Sequence, residues 1–291
     1  MKISCTPISV KAAIRSGELD QQKYFELLAA TGADATDILD TRSYSWFWKE
    51  AADVASVARR VRDCNLKIAA YAVGNSFTFR EPEEFDRQVG IVLNGIHEAA
   101  EVGAPFLRIF GGYHKDLPGD NKLDYAEGFR QILRGIETVL PEARKCGVVL
   151  TLENHGRMPG LSSELLQIMK YFDTPDLRIC FDICNFYGNN MNETEDAIRA
   201  YSRLKKYIRH VHFKDRKFAP AGSGKRLVPC VCGKGDGIVP LRQVIYQLEE
   251  DGFDGYCSLE HENPVLDEVV ESLKYMRSLK ECAALLYGEK K

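Results

Sequence analysis

The feature that most limits what this chain can become is an eightfold alternation. Short β-branched or apolar runs, each followed by a longer stretch of helical periodicity, repeat along the whole 291 residues. The runs fall at 2–6, 35–40, 67–73, 106–111, 148–154, 177–182, 210–214 and 256–260. Between them, 54–61, 90–100 and 126–143 space their apolar residues three or four apart, as amphipathic helices do. Gly32, Gly103, Gly147 and Gly252 stand where left-handed helix C-caps are expected, just before the next strand. Strict strand–helix alternation implies a parallel sheet with helical crossovers, either closed or doubly wound. Eight units favour closure, and no G-x-G-x-x-G follows the first strand to suggest an open dinucleotide-binding sheet. With no Pro/Ser-rich linker to divide it, the chain reads as one α/β domain over 1–291, a (β/α)₈ TIM barrel.

Composition removes several function classes. There are 39 Lys and Arg against 42 Asp and Glu, a net charge of −3, so no broad cationic field awaits a nucleic-acid backbone. No apolar run approaches the roughly 20 residues that span a bilayer, and no apolar leader follows Lys2, so the expectation is a cytoplasmic protein without a membrane partner. Nine scattered cysteines without a C-x-x-C pair indicate reduced thiols rather than disulfides or a structural zinc knuckle.

The chemistry gathers at the C-terminal ends of the last four strands. Glu153, Asp182 and Glu260 each end an apolar run, and His210-Val211-His212-Phe213-Lys214 sets two imidazoles and an amine on one face. In a barrel these four strands are neighbours, and strand C-termini form the face where barrel enzymes work. Three carboxylates a few ångströms apart repel by roughly 4 kcal/mol per pair at about 4 Å and an effective dielectric near 20, so a divalent cation is the natural counter-charge. Three oxygen donors and an imidazole suit Mn²⁺ foremost, then Mg²⁺ or Co²⁺, with Zn²⁺ or Fe²⁺ admissible. Taken singly, each of the four reads equally well as a helix cap or a rim ion pair; four in succession point to one metal. His212, nearer the strand end, is the better ligand, and His210 the better supporting residue.

These residues carry a resemblance. Leu152-Glu153-Asn154-His155, Phe181-Asp182-Ile183-Cys184-Asn185, His210-Val211-His212-Phe213-Lys214-Asp215, Gly233-Lys234-Gly235-Asp236-Gly237 and Leu259-Glu260 resemble the xylose isomerase-like superfamily of sugar phosphate isomerases and epimerases, which includes endonuclease IV and inosose dehydratase. The resemblance implies that Glu153, Asp182, His212 and Glu260 bind one divalent metal. It implies further that Glu153 and Glu260 act as base and acid on a small carbohydrate through an enediolate, giving isomerisation or epimerisation. Loss of a β-hydroxyl instead would make a dehydratase or lyase of the inosose dehydratase type. A non-catalytic carbohydrate-binding or accessory subunit is the reading from a different class. Ketose 3-epimerases of the superfamily carry a His three residues after the Asp, where this chain has Asn185, and the histidines of endonuclease IV are mostly replaced.

Other polar residues lie near strand ends. His155, Asn185, Arg108, His114 and Glu262 are candidates for binding substrate hydroxyls, and Lys214 for stabilising an oxyanion or pairing with Asp215. Two long segments, 111–124 and 216–237, follow strand C-termini, and loops of that length are more often functional than idle. Gly233 to Gly237 reads as a turn whose Asp236 caps or orients the site, while Lys225, Arg226 and Lys234 could meet an acidic substrate. Trp46, Phe47 and Trp48 suit core packing first, with a sugar-pocket wall or a homo-oligomer contact as alternatives.

Overall fold

The structure, a computed structural model, describes residues 1–48, 53–112, 123–156, 158–187, 194–262 and 265–288. The strands are β1 (Lys2–Cys5), β2 (Ala35–Leu39), β3 (Lys67–Ala72), β4 (Phe106–Phe110), β5 (Val149–Glu153), β6 (Leu177–Asp182), β7 (Ile208–Phe213), β8 (Asp215–Phe218), β9 (Leu227–Cys230) and β10 (Tyr256–Leu259). The helices are α1 (Lys11–Ser16), α2 (Gln21–Thr31), α3 (Val54–Asp63), α4 (Pro82–Val102), α5 (Tyr125–Lys145), α6 (Ser162–Phe172), α7 (Ala197–Leu204), α8 (Leu241–Glu250) and α9 (Leu266–Tyr287). Eight strands close into one barrel in the order β1-β10-β7-β6-β5-β4-β3-β2, with β8 and β9 forming a separate hairpin. This is the (β/α)₈ barrel that the alternation implies.

Local chemistry marks the element ends. Asp20, Asp53, Asp124 and Asp196 each accept a hydrogen bond from the backbone N–H three residues on, satisfying an otherwise unpaired donor at the start of α2, α3, α5 and α7. Gly32, Gly103, Gly147 and Gly252 all have φ near +70°, the left-handed conformation that stops a helix without a Cβ penalty. Apolar side chains of the strands and helices form a continuous core that includes Phe25, Phe47, Phe77, Phe181 and Phe213. Phe47 and Trp46 belong to it, and Trp48 donates its indole N–H to the Leu39 carbonyl oxygen, so this aromatic run serves packing. Among the described residues no helix is long and apolar enough to cross a membrane.

The stretch after β7 is a correction to the sequence reading. It contains the antiparallel hairpin β8–β9 rather than irregular loop. Its strands are four residues each, carry Arg216, Lys217 and Pro229, and leave Phe218 exposed, so no apolar period betrays them. Asp236 does not orient the barrel mouth: it is exposed and pairs with Lys217 at 2.7 Å. Asp215 instead ties down the turn before α8, its Oδ1 accepting from the N–H of Val239 at 3.2 Å and of Arg216 at 2.9 Å. Gly237 is required beneath it, because a Cβ there would lie 1.9 Å from Asp215 Oδ2.

Register sets the height of the polar residues inside the barrel. Ser4 pairs with Ser258, Ser258 with His212, and His212 with Asp182, so one row crosses four adjacent strands. Paired residues of parallel strands point to the same side. Ser4 and Ser258 both reach Asp37 inside the barrel, which fixes the inward direction for His212 and Asp182 as well.

Candidate active site

The structure brings Glu153, Asp182, His212 and Glu260 together, with one donor atom from each lying within 4.8 Å of the others. Glu153 and Asp182 are the last residues of β5 and β6, His212 is the penultimate residue of β7, and Glu260 directly follows β10. His212 Nδ1 is 3.5 Å from Glu153 Oε2, 3.8 Å from Glu260 Oε2 and 4.0 Å from Asp182 Oδ2. Donors of a six-coordinate ion with bonds of about 2.1 Å lie about 3.0 Å apart in cis and about 4.2 Å in trans. The observed separations fall between those limits, so the donor set has the span of a coordination sphere.

Hydrogen bonding to one oxygen of Asp182 and of Glu153 leaves the other oxygen turned toward the cluster. Asp182 Oδ1 accepts from the N–H groups of Cys184 and Asn185, both at 2.9 Å, which turns Oδ2 inward. The Asn154 side chain clamps the Asp182 backbone from both sides, accepting from its N–H at 2.8 Å and donating to its carbonyl at 2.9 Å. Glu153 Oε1 accepts from Asn185 Nδ2 at 3.2 Å. Glu153 Oε2 and His212 Nδ1 are buried without a hydrogen-bond partner among the described residues. A buried polar atom left unpaired is costly, and several aimed at one point suit a shared cation. Asn154→Ala removes two buried hydrogen bonds and is expected to lower stability by about 2 kcal/mol, measurable by urea denaturation.

Lys214 lies within this cluster. Its Nζ is 2.6 Å from Glu260 Oε2, 2.8 Å from Asp182 Oδ2 and 3.5 Å from Glu262 Oε1. The pairing with Asp215 suggested by their adjacency does not form: Lys214, between β7 and β8, turns to Asp182 and Glu260, while Asp215 accepts from the N–H of Val239. Burial opposes the Lys214 cation, but Asp182, Glu260 and Glu262 outweigh it and hold its pKa well above the usual value. Burial pushes the Asp182 carboxyl above its usual range, and the charges of Glu260 and Glu153 add to that against the pull of Lys214. Lys214 faces Asp182 and Glu260 while Arg108 faces Glu153, so three buried carboxylates share two fixed cations, and a divalent ion at the same point would supply the remaining positive charge.

The remaining sequence candidates divide. Arg108 is buried, with Nε 3.3 Å from Glu153 Oε2 and Nη1 donating to the Val73 carbonyl at 2.8 Å. Burial pushes the Glu153 carboxyl up, but His212 and Arg108 beside it hold it far below the usual range. The Phe110 ring lies between two of the candidates, 4.0 Å from the Arg108 guanidinium and 4.4 Å from the His155 ring. Burial lowers the pKa of His155, keeping the imidazole neutral at this rim. Asn185 faces Glu153, and Glu262 bridges Lys214 and Arg216. His114 lies outside the described residues.

Asp37 escaped the sequence reading. It is buried in the middle of β2, where its Oδ2 lies 3.3 Å from His210 Nε2 and 3.9 Å from His212 Nε2. Its Oδ1 accepts from Ser258 Oγ at 3.0 Å. The signal was present: a lone carboxylate inside the apolar run Ala-Thr-Asp-Ile-Leu. A carboxylate behind the far nitrogen of a ligating imidazole orients the ring and raises its basicity.

A parallel eight-stranded barrel with a convergent carboxylate–imidazole cluster at its C-terminal rim defines the class. Residues 25–279 match the model for the xylose isomerase-like TIM barrel, and the chain belongs to that family. It is 24% identical over 149 residues to an inosose dehydratase of Lacticaseibacillus casei, covering 46% of this chain and 47% of that protein. The match thus spans about half the length of the curated relatives. Among solved structures, it is similar to an L-ribulose 3-epimerase at a TM-score of 0.77 and 14% identity, covering 98% of this chain and 96% of that one. It is also similar to 3-keto-D-glucoside 4-epimerase from E. coli at 0.72 and 16%, covering 97% and 100%. At these identities the likeness is one of fold.

Proposed function

We propose that this chain is a divalent-metal-dependent isomerase or epimerase of a sugar or sugar derivative, with Glu153, Asp182, His212 and Glu260 holding the metal. The observation that carries the reading is the convergence of these four donors within 4.8 Å, with Glu153 Oε2 and His212 Nδ1 buried and accepting or donating no hydrogen bond among the described residues. Three oxygen donors and one imidazole match Mn²⁺ first, with Mg²⁺ and Co²⁺ next. A bound ion would supply Lewis-acid polarisation of a substrate carbonyl and its adjacent hydroxyl.

The protein's own residues then handle the proton. Glu153, held anionic by the neighbouring cations, is suited to take a proton from the carbon beside the carbonyl. Glu260, hydrogen-bonded to Lys214, is suited to deliver one on the other side of the reacting centre. Proton return to the original carbon gives an epimer, and to its neighbour an isomer. Lys214, His155 and Arg108 line the same rim as positioning groups for substrate oxygens. The similarity to an inosose dehydratase favours a second reading, in which the same proton abstraction is followed by loss of a β-hydroxyl.

The test is solvent isotope wash-in. The Mn²⁺-loaded protein is incubated in D₂O with a panel of ketoses, inososes and sugar acids, and followed by NMR. The expected result is deuterium at a carbon adjacent to the carbonyl of one substrate. A product lacking water would transfer the reading to the dehydratase. Binding of a sugar with neither exchange nor turnover would leave a carbohydrate-binding protein in its place.

A further inference from the structure

On the outer face of the barrel, away from the strand C-termini, a second donor cluster joins α4 to the end of α5. Glu142 and Cys146 are four residues apart, the spacing that puts two side chains on one helix face, and His97 approaches them from α4. Cys146 Sγ is 3.8 Å from His97 Nδ1 and 3.7 Å from Glu142 Oε1, and His97 Nε2 is 3.6 Å from the same oxygen. A tetrahedral zinc ion with bonds of about 2.3 Å to sulfur and about 2.0 Å to nitrogen and oxygen has ligand-to-ligand edges of about 3.2 to 3.5 Å. The Cys146–Glu142 edge exceeds that by only a few tenths of an ångström, and His97, whose two ring nitrogens face one partner each, offers a single nitrogen within 4.8 Å of both other donors.

We propose that His97, Glu142 and Cys146 form a Zn²⁺ site, with a fourth position open to water, that ties α4 to α5. Cys146 caps the C-terminus of α5, where the unpaired carbonyls give the helix its partial negative charge and favour a cation. The donor set is chemically unlike that in the barrel. A thiolate with an imidazole and one carboxylate selects zinc, whereas three oxygens and an imidazole suit manganese or magnesium. Lys145 already lies 3.2 Å from Glu142 Oε1, but its side chain is 75% exposed and turns into solvent when a divalent ion takes the carboxylate. The ligation exchanges the thiol proton for the metal, with no change of oxidation state.

Cobalt(II) reads this site without reference to activity. Titration of the full chain with Co²⁺ is expected to produce a near-ultraviolet thiolate-to-cobalt charge-transfer band that one equivalent of Zn²⁺ removes. Cys146→Ser and His97→Ala, both at surface positions, are expected to abolish the band while leaving the circular dichroism unchanged. Zn²⁺ at 100 times its dissociation constant is expected to raise the unfolding midpoint of the native chain and not that of Cys146→Ser. A charge-transfer band that survives in Cys146→Ser would assign the thiolate to another cysteine, such as the buried Cys180 beside His212, and overturn the proposal. So would the lack of any such band in the native chain at saturating Co²⁺.

Discussion

Glu153→Gln is expected to slow solvent deuterium exchange into substrate by on the order of 10² to 10⁴-fold, the range lost when a positioned acid or base is removed. The substitution keeps the shape and keeps an oxygen to accept the Asn185 amide, at present 3.2 Å from Oε1. It removes the negative charge that Arg108 and His212 face. A group that only bound metal would lose activity in proportion to lost metal, so the exchange rate is measured at saturating Mn²⁺. Glu260→Gln is expected to behave likewise, from the other side of the reacting carbon. Exchange that persists at the native rate in both variants would remove the proton-transfer mechanism while leaving the barrel untouched.

Lys214→Met carries the largest expected effect on stability. The Lys214 side chain is 3% exposed and serves Asp182, Glu260 and Glu262 at once. Removing one partner of a buried ion pair costs about 3–5 kcal/mol, because the surviving charges are left without a counter-charge. Urea denaturation of the chelator-treated variant is expected to show a loss of that size. Added Mn²⁺ is expected to restore most of it, since a divalent ion supplies the positive charge the lysine gave. A loss under about 1 kcal/mol would mean that the three carboxylates do not depend on this cation.

Most of the architecture was legible because it rests on patterns that repeat. Each barrel strand falls within about two residues of its apolar run, and the four glycines placed at helix ends all have positive φ. The four ligand candidates were legible for a related reason. A carboxylate or imidazole ending an apolar strand has few places to go but the barrel rim, and neighbouring strands deliver neighbouring residues.

What the sequence concealed depends on distances across the barrel rather than along the chain. Asp37 lies more than a hundred residues from His210, and only closure of the sheet brings them to 3.3 Å. Lys214 adjoins Asp215 in sequence, yet its side chain turns to Glu260, 46 residues away. The hairpin β8–β9 was hidden by short polar strands, and Asp236 was drawn away from the site by Lys217 on that hairpin. The cluster at His97, Glu142 and Cys146 was equally hidden, since one of its residues lies on α4 and the other two at the end of α5.

The central claim is that one divalent ion is shared by Glu153, Asp182, His212 and Glu260. Its most direct test is Mn²⁺ binding followed by electron paramagnetic resonance, comparing the native chain with Asp182→Asn. Asp182 is the best choice for substitution because its inward oxygen has no proposed part in proton transfer. The expected result is one tightly bound Mn²⁺ per native chain and none in the variant at the same concentration. Equal binding by the two proteins, or no binding by the native chain, would contradict the account.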